Sequence, residues 1–64
     1  MKYCVDIRDK KTGSTIKTVL ETELHEKAYE VVNQYNKEYG IFSELLNQYP
    51  KKEYFIDVYN NENI

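Results

Sequence analysis

The side chains able to do chemistry in this 64-residue chain are few: Cys4, His25, three aspartates at Asp6, Asp9 and Asp57, and two serines at Ser14 and Ser43. A cysteine becomes a nucleophile when a neighbouring group lowers its pKa, and Cys4 sits alone in a strand-like stretch. A catalytic histidine needs an orienting partner and a nucleophile within reach. His25 falls at the edge of a helical stripe, with Tyr29 one turn on, and the sequence offers it neither. Zinc sites call for paired Cys or His at short spacing, and calcium loops for closely spaced carboxylates; both patterns are absent. Ser14 and Ser43 lack the glycine-flanked elbow of serine hydrolases, and two glycines do not build a phosphate-cradling loop. The expectation is therefore a non-enzymatic protein with no cofactor and no metal.

Binding chemistry is what remains. Net charge is −2, yet the two parts of the chain differ. Residues 1–22 carry five cations against three acids, and residues 23–64 are acidic by four charges. The basic group Arg8, Lys10, Lys11 and Lys17 is the candidate contact set for nucleic acid. It is small beside the clustered basic face that backbone phosphates usually meet. Apolar runs reach only three residues, as in Tyr54-Phe55-Ile56, whereas a membrane helix needs about 20. Asp6 interrupts the N-terminal stretch before it could form the apolar region of a leader. The lone thiol fits a reducing compartment, so cytoplasmic residence is expected.

These groups must be positioned by local structure. In residues 2–9, Tyr3, Val5 and Ile7 alternate with Cys4, Asp6 and Arg8, the rhythm of a half-buried strand. A second alternation sets Ile16, Thr18 and Leu20 against Lys17, Val19 and Glu21. The turn-forming stretch between them, Asp9 to Ser14 with Gly13 free to take positive φ, predicts a β-hairpin over 1–22. A loop of residues 10–13 would set Ile7 opposite Ile16, Val5 opposite Thr18 and Tyr3 opposite Leu20. The same register sets Asp6 opposite Lys17 and Lys2 opposite Glu21, as favourable cross-strand pairs.

Thr22 is placed to cap a helix over 23–39, with Glu23 and Glu26 suiting its positive end. Leu24, Ala28, Val31, Val32, Tyr35 and Tyr39 form its apolar stripe, and Gly40 stands at the C′ position. Residues 41–52 read as a loop or a short second helix around 43–49, capped by Ser43 and ended by Pro50. Tyr54 to Tyr59 has strong strand character, giving a third strand over 53–59 and a polar tail over 60–64. The fold class is α+β, one domain of ββαβ order. Its three-stranded sheet has order 2-1-3 and one main helix on one face. Tyr3, Val5, Ile7, Ile16, Leu20, Ile56 and Val58 form the expected core.

Alternation leaves Cys4, Val19, Phe55 and Tyr59 on the sheet face away from the helix. Three readings stay open for that face: cover by residues 41–49, a protein interface including self-association, or a stacking platform for single-stranded nucleic acid. The leading expectation is a small accessory or inhibitor protein acting by protein contact. Nucleic-acid binding through the basic hairpin is the alternative.

Seven Tyr, eight Lys, eight Glu and six Asn without Trp are the composition of a low-GC coding sequence. The segments Asp9-Lys10-Lys11-Thr12-Gly13, Ala28-Tyr29-Glu30 and Asn36-Lys37-Glu38-Tyr39-Gly40 resemble small proteins of low-GC bacteria, their phages and mobile elements. These segments encode a hairpin and a helix end, so the resemblance carries no functional residue across.

Overall fold

The computed structural model describes residues 2–61. Its elements are β1 (Lys2–Asp9), β2 (Thr15–Thr22), α1 (His25–Lys37), α2 (Phe42–Gln48) and β3 (Tyr54–Asn61). The strands form one sheet of order β2-β1-β3, as the sequence predicts, and both pairings are antiparallel. β3 includes Asn60 and Asn61, which the sequence suggests as tail; Glu62, Asn63 and Ile64 lie outside the described residues.

Asp9 organises the hairpin turn. Its carboxylate accepts the Lys11 and Thr12 amides at 2.7 and 3.4 Å, and its carbonyl accepts the Gly13 amide at 2.8 Å. Gly13 has φ +75°, a conformation that costs glycine little. The strand register departs from expectation beyond the turn. Arg8 faces Thr15, but Ile7 then faces Lys17, Val5 faces Leu20 and Tyr3 faces Thr22. The register breaks twice, so β2 carries an extra residue at Ile16 and another at Val19. Bulges of this kind bend a strand and increase its twist. Two slips make one full period, so Leu20 keeps the face it shares with Val5. Ile16 loses its place in the core and is 45% exposed. Asp6 faces Thr18 rather than Lys17, while Lys2 and Glu21 still meet at 3.6 Å.

The main helix is shorter at both ends than its apolar stripe suggests. The Thr22 hydroxyl accepts the Leu24 amide at 3.0 Å, which turns the chain before the helix instead of capping its first turn. At the other end Glu38, not Gly40, is the first left-handed residue, with φ 59°. The Glu38 and Tyr39 amides close onto the Tyr35 and Gln34 carbonyls at 3.2 and 3.1 Å. Gly40 serves the corner differently: a Cβ there would lie 2.5 Å from Gln34 Oε1, the atom that accepts the Ile41 amide.

The short second helix is present, and Ile41 stands at its N-cap. Ser43, the expected cap, donates its hydroxyl to the Gly40 carbonyl at 2.9 Å. Phe42 is buried and meets Tyr35 of α1 edge-on, ring centres 5.2 Å apart, beside Ile7 and Tyr54. α2 therefore packs against α1 beside Ile7 and Tyr54, and the hollow it lines extends to Phe55. The apolar core is Val5, Ile7, Ala28 and Phe42, joined by Cys4 from the other face of β1. Val58, an expected core residue, is 38% exposed.

Candidate functional site

On the open face, β1 and β3 set Cys4 opposite Tyr59, Asp6 opposite Asp57 and Arg8 opposite Phe55. Two carboxylates directly across from one another repel, and Arg8 resolves the conflict. Its Nε lies 3.3 Å from Asp57 Oδ2 and its Nη2 3.8 Å from Asp6 Oδ2. Its guanidinium carbon is 5.8 Å from the centre of the Tyr59 ring. Asp6, only 1% exposed, also accepts the Thr15 hydroxyl at 3.4 Å, and its Oδ1 has no hydrogen-bond partner. The Tyr59 phenol is held above its ordinary pKa, first by its hydrogen bond with Cys4 and then by the negative charge of Asp6, against a smaller lowering by Arg8. Arg8 thus bridges the two carboxylates, while Asp6 Oδ1 and Arg8 Nε are left without a hydrogen bond.

That arrangement redistributes the sequence-predicted site. Of the four expected interface residues, Cys4 is buried, Phe55 is half-buried, Tyr59 is exposed, and Val19 is half-buried at a β2 bulge. The four cations do not form one patch. Arg8 is engaged with Asp6 and Asp57, and Lys17 faces Ile7, on the other side of the sheet. Lys10 and Lys11 gain a companion that the sequence reading leaves in a connector, Lys52. The three surround a hollow of about 210 Å³ that Asp9, Glu53 and Tyr54 also line, tied by the Lys10 amide to the Glu53 carbonyl at 3.0 Å.

The remaining apolar surface gathers where α1 passes β3. Tyr3, His25, Ala28, Tyr29, Val32 and Val58 line an open groove of about 180 Å³. His25 stands between two aromatic edges, 5.7 Å from Tyr3 and 5.0 Å from Tyr29. Tyr29 is 66% exposed. Beside the groove runs the outer edge of β3. Its pairing with β1 is unbroken from Lys2–Asn61 to Asp9–Tyr54, without a bulge. Asp57 is its one charged residue, and it has no proline. Among the described residues, no backbone hydrogen bond outside the sheet involves Phe55 to Asn60. The signal for this edge lies in the sequence: YFIDVYNN carries one charge, where TIKTVLET of β2 carries two.

Among the described residues no group of three His, Cys, Asp or Glu side chains could hold a metal ion, and no helix is long and apolar enough to cross a membrane. No family model, curated protein or solved structure matches the chain.

Proposed function

We propose that this protein works by protein–protein contact, as a small accessory or inhibitor protein does, and that its contact surface is the outer edge of β3 with the adjoining α1 groove. One observation carries the reading: a straight, charge-poor edge strand with free backbone groups lies beside exposed Val58 and Tyr29. Such an edge is a template for strand addition, in which backbone hydrogen bonds supply affinity and neighbouring pockets supply selectivity. The open sheet face, first choice on alternation alone, is weaker support for an interface because Arg8 is already engaged with Asp6 and Asp57, and Cys4 is buried. Free, buried Cys4 suits the reducing cytoplasm.

The test is substitution at the edge. Val58→Lys, with helix and sheet content verified by circular dichroism, should abolish capture of proteins that the wild type retains from a lysate. Ile16→Lys, on the opposite edge, should leave capture intact. Equal capture by all three proteins removes the reading.

A second reading, nucleic-acid contact, draws support from the meeting of Lys52 with Lys10 and Lys11 at the hairpin tip. Binding of this kind would weaken steeply with salt. Lys10→Glu with Lys52→Glu should eliminate it, and no binding to single- or double-stranded DNA or RNA at low ionic strength would dismiss it.

A further inference from the structure

We infer that the outer edge of β3 pairs with the same edge of a second copy of this chain, antiparallel, to give one continuous six-stranded sheet. The inference rests on the β3-edge reading above and names the partner. Two identical antiparallel edges satisfy each other's free backbone groups at once, which is the self-complementarity of a two-fold contact.

The register follows from charge and length. Residues directly opposite in an antiparallel pair share a sheet face, so a two-fold axis normal to the sheet passes through a residue rather than between two. An axis through Asp57 would set two like charges face to face, a repulsive pair. An axis through Ile56 would reach back to Tyr54, whose amide already donates to the Pro50 carbonyl at 3.0 Å, and would leave the far half of the strand unpaired. An axis through Val58 uses the strand from Phe55 onward. It sets Val58 against Val58, Asp57 against Tyr59 and Ile56 against Asn60, with no like charges opposed.

The same axis places both α1 helices on one face of the joined sheet. Tyr29 and Val32 of each copy then border the groove above the paired Val58 residues, where Val58 loses its exposure to solvent.

Area sets the strength. Seven residues of strand span roughly 24 Å, and the molecule is 13 Å thick in its shortest dimension. The edge contact is thus roughly 300 Å² per copy, against about 800 Å² per partner in a standard stable complex. Closure of the groove adds to it without reaching that size. A contact of this size belongs with weak, transient associations, so the dimer is a reversible one that dissociates on dilution.

Sedimentation velocity of the purified full chain across a dilution series should show a monomer–dimer equilibrium. Val58→Lys should weaken it at least tenfold, and Ile16→Lys should leave it unchanged. A trap provides a second readout: in a Cys4→Ala background, Val58→Cys should form an intermolecular disulfide under mild oxidation, because residues at the axis lie within disulfide reach. Ile16→Cys in that background should not. A protein monomeric at every concentration, or a dimer indifferent to Val58→Lys with no trapped disulfide, overturns the inference. If the chain is monomeric while Val58→Lys still abolishes capture of other proteins, the second copy is refuted and the β3-edge reading stands. If neither association nor capture depends on Val58, both fall.

Discussion

β2 and β3 flank the same central strand, run the same eight residues and each leave one side unpaired, yet the two edges are finished in different ways. β2 is broken by two bulges and carries Lys17 and Glu21; β3 is straight and carries Asp57 alone. Bulges and charges are devices that keep a bare edge from pairing with another chain. On this sheet they are concentrated on one side. The two edges thus differ in register as well as in composition, since the inserted Ile16 and Val19 are themselves apolar.

The contrast can be broken or sharpened by substitution. The largest effect is expected from Phe42→Ala, which should cost about 3–4 kcal/mol in chemical denaturation. Phe42 is buried beside Tyr54 at the start of β3. Amide exchange should therefore accelerate in β3 before β2; simultaneous release of both edges would contradict a separate support for β3.

Next comes Arg8→Met, expected to cost about 2–3 kcal/mol because it leaves the buried Asp6 carboxylate without its cation. Asp6 faces Thr18 on one side and Asp57 on the other, so both edges should loosen together. Adding Asp6→Val should restore most of the loss in the same denaturation assay. Failure of that rescue would mean that Arg8 stabilises the fold through its contacts with Asp57 and the Gly13 carbonyl rather than through Asp6.

Lys17→Val with Glu21→Val removes the charges of β2 and leaves its bulges in place. Stability should change by less than about 1 kcal/mol. If charge is the main protection, light scattering should reveal new association; if the bulges suffice, none will appear.

The smallest effect is expected from Tyr59→Phe, read in alkaline denaturation. The fold raises the Tyr59 pKa, so it favours the protonated phenol. That contribution is fully present below the ordinary tyrosine value of about 10 and disappears as pH rises through the higher folded value. Wild type should lose stability across that alkaline window more steeply than the variant, with β3 fraying first. Parallel pH profiles would show that the Cys4–Tyr59 hydrogen bond contributes nothing.

The strand order and the hairpin turn were legible because their signals are local: alternation in three segments, and Asp9 and Gly13 at the turn. The bulges were not, since inserting Ile16 and Val19 between paired positions changes the register without changing the two-residue rhythm of β2. The side taken by α2 was hidden for another reason. Phe42, Leu45 and Leu46 announce an apolar helix face, but which sheet face receives it is decided by contact with Tyr35, across the chain. For the candidate site, periodicity put Cys4 and Tyr59 on one face, as their direct pairing bears out, and gave no sign that Arg8 would bridge Asp57 and a buried Asp6. Read singly, each charge looks solvated. Their mutual neutralisation requires the alignment of β1 with β3, which is non-local.

Because β1 is central but pairs on one side with β3, synthesis proceeds in an awkward order. The hairpin emerges first and must wait, with the inner row of β1 bare, until both helices and the last strand have left the ribosome. An isolated two-stranded ribbon is marginal in water, so the nascent chain gains its cooperative fold late rather than by stages.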